Sequence, residues 1–195
     1  MRTSRLSALL GICTLAAACG KGPAEEALRA ADQALEAARP EIEKYVPREL
    51  AGLSGASKSA HDKFEQGDYK GALTAAQGLP GKVEALKAAA ASKKEALTQA
   101  WGVLQESIPP MVEAFNDRVM HLASLRRLPK GMDAMKLGVA RNELDGVTQA
   151  WNEAQAAFQA GSLLQAVDKG NAVKTRVAAA MTSVGLSASP APPTK

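Results

Sequence analysis

The side chains best suited to acid–base chemistry near neutral pH are two histidines, His61 and His121. Nucleophilic catalysis also needs a serine, threonine or cysteine with such a base in reach. His61 precedes Asp62 on the helix side opposite to the apolar stripe of its segment, and His121 lies beside Met120. Both histidines are therefore expected at the surface or at the edge of the core. We predict no catalytic residue and no enzyme activity.

A second candidate chemistry is metal binding by the methionines of residues 119–142. Two histidines and two cysteines in the whole chain exclude most zinc, haem and iron–sulfur sites, which need three or four such ligands. Met120, His121, Met132 and Met135 offer the thioether and imidazole ligands that Cu(I) prefers. Methionines also fill irregular contacts between helices, and we favour this interpretation. We predict no metal site and keep copper binding as an alternative.

Three basic residues, Arg126, Arg127 and Lys130, lie between Met120 and Met132. Such residues suit either anionic lipid headgroups or a solvated loop. Together with Met132 and Met135, they are the residues that we expect to take part in an interaction.

The composition points to a helical protein. Hydrophobic residues make up 46% of the chain but aromatic residues only 4%, which suits closely packed helices and disfavours a β-sandwich or barrel. The net charge is +4 and falls to about +2 without Arg2 and Arg5. Charges of mixed sign without a basic block argue against nucleic acid as a partner.

Two segments of the chain repeat one another at an offset of 94 residues. Their stripe positions are separated by three and four residues in the same order, so each set lies on one face of a helix. The first set is Leu50, Leu53, Ser57, Ala60 and Phe64, and the second is Leu144, Val147, Trp151, Ala154 and Phe158.

Each segment then reaches a turn, formed by Gly67 with Asp68 and by Gly161 with Ser162. The glycine allows a left-handed end to the first helix, and the Asp or Ser oxygen accepts a hydrogen bond from an amide that begins the next. Each segment is therefore predicted to be a helical hairpin.

The helix before each hairpin matches at an offset of 70, where Pro40 and Tyr45 correspond to Pro110 and Phe115. The difference between the offsets implies an insertion at residues 119–142. We infer a duplicated three-helix unit, with chance similarity between Ala-rich helices as the alternative.

The predicted fold is all-α, an elongated bundle of about six or seven helices. A breaker-free helix over residues 82–108 joins the two units, about 40 Å long at 1.5 Å per residue. The first unit is expected to cover residues 24–91 and the second residues 92–186. Helix breaks are predicted at Pro40, Pro47, residues 78–81, Pro109 with Pro110, and residues 129–131.

The first hairpin turn resembles that of a tetratricopeptide repeat in Ala60, Phe64, Gly67, Asp68, Tyr69, Ala72 and Leu73. The longer stretch from Pro47 to Ala76 resembles an uncharacterised Ala-rich helical domain of bacterial envelope lipoproteins. These resemblances imply a helical-hairpin fold and no particular activity.

The N-terminus combines a basic start with an apolar stretch over residues 6–15 and three alanines before Cys19. An apolar stretch of this length is too short to cross a bilayer core of about 30 Å, so residues 1–18 are predicted to be a cleaved signal peptide. The alanines and Cys19 resemble the lipobox of bacterial lipoproteins. The resemblance implies diacylglycerol and fatty acid on Cys19, and Gly20 after it implies the outer membrane. We expect no cofactor, and the covalent lipid on Cys19 would serve only as an anchor.

The ends of the mature chain are expected to be extended. Residues 19–23 would be a lipidated tether that spans at most about 14 Å beyond the cysteine. Residues 187–195 would be a Pro-rich tail that ends at Lys195. A terminal lysine loosely resembles that of small lipoproteins joined to peptidoglycan, so cell-wall attachment through Lys195 is one alternative function.

We predict a non-catalytic lipoprotein, anchored in the outer membrane and facing the periplasm, that binds another envelope protein as a helical scaffold. The aromatic residues of the stripes are expected in the core, and an exposed one would favour a groove for a partner helix. These residues are Tyr45, Tyr69, Trp101, Phe115, Trp151 and Phe158.

Overall fold

The computed structural model describes residues 18–187. Helices account for 88% of these residues, and none of them lies in a strand. The all-α prediction is therefore confirmed. The helices are α1 (Ala18–Tyr45), α2 (Pro47–Glu65), α3 (Tyr69–Gln77), α4 (Leu79–Ser124), α5 (Ala134–Gln159) and α6 (Leu163–Ser183).

The chain divides into two compact units, one ending at Lys93 and the other beginning at Lys94. Helix α4 starts in the first unit and ends in the second. The predicted signal peptide, residues 1–18, lies outside the described residues except for Ala18. The same holds for residues 188–195, which include Lys195.

In unit 1, helices α1, α2 and α3 pack against one another and against the start of α4. The main core is aliphatic and small, which lets the helix backbones approach closely. Its buried members are Ala31, Leu35, Ala38, Ile42, Leu50, Leu53, Leu79 and Val83. A smaller cluster of Leu28, Ala60 and Ala76 lies nearer the α2–α3 turn and is flanked by Phe64.

In unit 2, α5 packs along α6, and the second part of α4 contributes its aromatic side chains. Trp101 of α4 stacks on Trp151 and Phe158 of α5, with ring centroids 5.4 and 4.9 Å apart. Gly170 of α6 faces Leu104 of α4 so closely that a Cβ there would lie 2.8 Å from Leu104 Cδ1. The helices of this unit therefore approach through a glycine as well as through alanines.

The predicted helix breaks at Pro40 and at Pro109 with Pro110 are wrong. α1 runs through Pro40, and α4 runs through both other prolines. A proline inside a helix removes one backbone hydrogen bond and crowds the preceding turn. All three prolines are exposed while buried residues flank them, such as Ile42 in α1 and Ile108 in α4. Packing of the opposite face holds each helix together across its proline.

Other boundaries also differ from expectation. α1 begins at Ala18, so residues 19–23, which we expected to be an extended tether, form part of its first turns. The connecting helix is longer than residues 82–108 at both ends. α2 begins at Pro47, where the missing amide costs nothing because first-turn amides have no helical partner.

The buried positions of α1 and of the second part of α4 alternate at four and three residues. Leu28, Leu35 and Ile42 correspond in this pattern to Trp101, Ile108 and Phe115, an offset of 73 rather than 70. Pro40 and Pro110, which suggested the other register, are both exposed and take no part in packing.

Candidate functional sites

The residues predicted for interaction lie around the loop between α4 and α5. Arg126, Arg127 and Lys130 are exposed in this loop, and Met132 is half-buried. Met135 follows in the first turn of α5 with 80% of its surface exposed. These residues lie together because they are close in the sequence, in and just after one short loop, and not because of long-range packing.

Two further apolar side chains are exposed near this loop. Met120 on α4 is 62% exposed, and Val139 on α5, one turn after Met135, is also 62% exposed. α4 runs parallel to α6, because Leu104 meets Gly170 and Arg118 Nε donates to the carbonyl of Val184. α5 runs antiparallel to α6, because Glu153 pairs with Lys169 and Glu143 with Arg176. α4 and α5 are therefore antiparallel, and with Trp101 stacked on Trp151, Met120 lies at the level where α5 begins. We call Met120, residues 125–133, Met135 and Val139 the loop end of unit 2.

The loop end is built on an ordered helix start. Asp133 caps α5, because its side chain accepts a hydrogen bond of 2.8 Å from the amide of Lys136. Lys136 Nζ in turn donates to the carbonyl of Gly131 at 2.6 Å, and Gly131 has a φ of +91°. These contacts fix the backbone that carries Met132 and Met135.

Residues 119–142 are not an appendage to the second unit. They comprise the end of α4, the loop and the first turns of α5. Val119, Leu122, Leu137 and Ala140 are buried. Removal of the whole segment would therefore remove part of the core along with the loop end.

The two hairpin turns have the same backbone geometry. Gly67 and Gly161 have φ of +82° and +74°. The next amide, of Asp68 or Ser162, donates to the carbonyl five residues earlier at 2.9 Å in both turns. This is the hydrogen bond that closes a glycine-ended helix.

The turns differ in their side-chain caps. Asp68 accepts a hydrogen bond of 2.9 Å from the amide of Gly71, whereas the Ser162 side chain caps nothing. The prediction of a side-chain cap at Ser162 is therefore wrong. Asp68 and Ser162 share the same backbone conformation, and the serine hydroxyl is one bond shorter than the carboxylate.

Unit 1 contains a polar cluster that the sequence analysis missed. Asp32 of α1 accepts a hydrogen bond of 3.0 Å from Ser57 Oγ, and its other oxygen lies 2.8 Å from His61 Nε2. Ser57 is buried, whereas about two fifths of the Asp32 and His61 side chains is exposed. The sequence did contain one sign of this cluster, because Ser57 places a hydroxyl on an apolar stripe and a buried hydroxyl needs a hydrogen-bond partner.

The order of the groups in this cluster differs from that of a serine nucleophile. In a catalytic triad, the histidine stands between the serine and the carboxylate and takes the serine proton. Here Asp32 stands between Ser57 and His61, so the Ser57 proton points at a carboxylate. The described geometry joins α1 to α2 and gives Ser57 a carboxylate, not an imidazole, as its proton acceptor. An open groove of about 710 Å³ lies beside it, lined by Glu25, Leu28, Glu36 and Phe64 among others.

Most stripe aromatics are buried, as in the case of Tyr45, Trp101, Phe115 and Trp151. Tyr69 is half-buried, and Phe158 remains 38% exposed although it stacks on Trp101.

Two ion pairs join α5 to α6. Arg176 binds Glu143 with two nitrogens, and Lys169 Nζ lies 2.8 Å from Glu153. The hydrogen bond from Arg176 lowers the pKa of Glu143 from its ordinary value, and burial opposes this shift in part. Lys169 lowers the pKa of Glu153 by the same kind of hydrogen bond.

Within residues 18–187, no group of three or more His, Cys, Asp or Glu side chains is arranged to hold a metal ion. His121, like Met120 beside it, is exposed. Cys19 lies in the first turn of α1. No helix in the described part of the chain is long and apolar enough to cross a membrane.

Comparison with protein-family models, with curated proteins and with solved structures finds no match to this chain.

Proposed function

We propose that this chain is a lipoprotein of a bacterial envelope, anchored through Cys19 and facing the periplasm, that holds a partner protein without catalysing a reaction. The observation that carries the scaffold role is the exposure of Met120, Met135 and Val139 at the loop end of unit 2. The outer membrane is the proposed location, on the resemblance of the residues around Cys19 to a lipobox.

The chemistry of the loop end indicates the kind of partner. Met135 and Val139 lie one turn apart on α5, which is the spacing at which a helix presents apolar side chains to a groove or to another helix. Arg126, Arg127 and Lys130 are exposed in the loop that precedes α5 and add positive charge to the loop end. An amphipathic segment that carries carboxylates beside its apolar face complements both features.

The scaffold is proposed to be a duplicated three-helix unit with hairpins of the tetratricopeptide type. The equal geometry of the turns at Gly67 and Gly161 supports this proposal. So does burial at the offset of 94, since Ala60, Ala72 and Val83 of unit 1 correspond to Ala154, Ala166 and Val177 of unit 2, all of them buried. The copies differ mainly at Gly78, which separates α3 from α4. The corresponding position of unit 2 lies inside the continuous helix α6.

Crosslinking in cells tests the scaffold role. A photo-crosslinking residue at Met135 should capture one reproducible envelope protein, and Met135→Ser with Val139→Ser should abolish that product. Val103→Ser is the matched control, because Val103 is another exposed valine of unit 2, at 57%. The proposal fails if no specific product forms at Met135, or if the control variant removes the product equally.

Mass spectrometry of the mature N-terminus tests the anchor separately. The proposal expects an acylated Cys19 as the first residue and a protein that fractionates with outer membranes. An unmodified N-terminus on a protein released without detergent would rule the anchor out.

A further inference from the structure

The open groove of about 710 Å³ in unit 1 runs along α1 beside the end of α2. Its floor is apolar and contains Leu28, which is buried, and Phe64, which is half-buried. Polar side chains of α1 form most of its wall. We call this feature the α1 groove.

Carboxylates outnumber basic side chains in the wall of the α1 groove. Glu25, Glu26, Asp32 and Glu36 line it, and Arg29 is the one lysine or arginine among the lining residues that the structure describes. Glu25 and Glu26 are exposed and form no ion pair with any described residue. The groove therefore offers two carboxylates to a cation from outside unit 1.

Neighbouring charges do not reverse this balance. Asp32 is engaged by Ser57 and His61, and Glu36 pairs with Arg39. Lys63 lies 3.8 Å from Asp68, and Lys21 and Lys70 line no part of the groove. Glu25 and Glu26 thus decide which charge the groove presents.

The matched positions of unit 2 show which features of the groove the fold requires. At the burial offsets of 73 and 94, Trp101 and Phe158 stand at Leu28 and Phe64, so both units place large apolar residues there. The four carboxylates are replaced by the uncharged residues Thr98, Gln99, Gln105 and Pro109. Helix packing is therefore possible without the charge of the α1 groove.

The loop end of unit 2 has the opposite charge. Arg126, Arg127 and Lys130 are exposed and form no ion pair with any described residue. Asp133, the acidic residue of the loop, is used as the cap of α5. Met135 projects from the first turn of α5 with 80% of its surface exposed. A projecting apolar side chain beside free cations complements an anionic groove with an apolar floor.

We propose that the loop end of one copy of this chain docks in the α1 groove of a second copy. The arginines of the loop end meet Glu25 and Glu26, and Met135 covers the floor at Phe64. This inference rests on the proposed scaffold role, which asks for a partner segment with carboxylates beside an apolar face. The first half of α1 is such a segment within the protein itself.

The proposed contact joins two different surfaces and is therefore heterologous. Each copy in such a contact keeps one groove and one loop end for a further copy, so assembly closes into a ring or continues as a chain. Opposite charges fix the orientation, because groove against groove and loop end against loop end bring like charges together.

Photo-crosslinking between two tagged copies tests this contact in cells. One full-length copy carries the photo-crosslinking residue at Met135, and the other carries an epitope tag after Lys195. We expect a product of two chains that contains the tag. Its crosslink should map to residues 22–29 or 64–70 of the tagged copy, which are tryptic peptides of this sequence.

Charge reversal on each surface makes the test specific. Glu25→Lys with Glu26→Lys in both copies should lower the yield at least about tenfold, because like charges then face each other across the contact. Arg126→Glu with Arg127→Glu should lower it equally. All four substitutions together should restore the product, since the reversed charges attract again.

Glu43→Lys with Glu49→Lys is the matched control. Both carboxylates are exposed in unit 1 and neither lines the α1 groove, so the yield should stay unchanged. Circular dichroism of each variant checks that the helices are intact.

The outcomes separate this inference from the scaffold role. A product at Met135 that contains a different protein supports the scaffold role and overturns docking between copies. A crosslink within one chain, a two-chain product that maps to other peptides, or a yield that the combined reversal does not restore also overturns it. Absence of any specific product refutes the scaffold role and this inference together.

Discussion

At the scale of single residues, the polar cluster of unit 1 shows how a buried hydroxyl selects its neighbours. Ser57 interrupts an apolar stripe and finds Asp32 on another helix, and His61, one turn on, uses the second oxygen of the same carboxylate. Removal of the Asp32 carboxylate would leave the buried Ser57 hydroxyl without an acceptor, and this costs more stability than the loss of an exposed contact.

Asp32→Ala should therefore lower the free energy of unfolding by about 1–2 kcal/mol. Asp62→Ala, which removes only an exposed pair with Lys58, is the control and should have little effect. Urea denaturation followed by circular dichroism measures both. Equal effects of the two substitutions would show that the cluster does not stabilise unit 1.

The two hairpin turns permit a second comparison at this scale. Asp68→Ala should cost about 1 kcal/mol, because its carboxylate caps α3. Ser162→Ala should cost no more than a few tenths of a kcal/mol, because the Ser162 side chain makes no cap. Thermal unfolding of both variants tests the difference. A larger loss for Ser162→Ala would contradict the described geometry.

At the scale of helices, close approach in unit 2 depends on glycine at one position. A methyl group on Gly170 would meet Leu104 Cδ1 at 2.8 Å, whereas one on Gly138 would meet no atom within 4 Å. Gly170→Ala should destabilise by about 1–3 kcal/mol through overpacking. Gly138→Ala should stabilise by about 0.5–1 kcal/mol through helix propensity.

Chemical denaturation shows directly whether each variant is more or less stable than the unsubstituted protein. Stabilisation by Gly170→Ala would mean that the Leu104 side chain can move away from the added methyl group without loss of packing. Both substitutions add the same group to a helix, so the difference between them reports packing alone.

The Arg176–Glu143 pair joins α5 to α6 and predicts a pH dependence. The folded protein holds the pKa of Glu143 below its ordinary value, so the stabilisation is complete above the unfolded-state pKa and is lost as the pH falls through the folded one. Glu143→Gln should cost about 0.5 kcal/mol at neutral pH, since the pair is half-exposed and screened. The difference from the unsubstituted protein should vanish in acid.

Unfolding curves between neutral pH and about pH 3 provide the measurement. Glu113→Gln, an exposed carboxylate on α4, is the control. If Glu143→Gln lowers the free energy of unfolding by the same amount across this pH range, the negative charge of Glu143 is not the cause of the loss.

At the scale of the whole molecule, the protein consists of helices in two compact units. Far-ultraviolet circular dichroism of the mature chain should give a helix content well above two thirds, roughly twice that of an average globular protein. A pronounced strand signal would refute the architecture.

The sequence alone was sufficient for the helical class and for the places where α2 and α5 end. Helix periodicity and the glycine turns at Gly67 and Gly161 depend on residues within a few positions of one another. Local patterns of this kind can be recognised without knowing which helices pack against one another.

Only the tertiary structure decided that Pro40, Pro109 and Pro110 lie inside helices, that Asp32 meets Ser57 and His61, and that Tyr69 lies beside the start of α1. Each of these depends on energy supplied by residues distant in the chain. Burial of one helix face outweighs a proline on the other, and a polar partner on another helix is set by packing that no local spacing encodes.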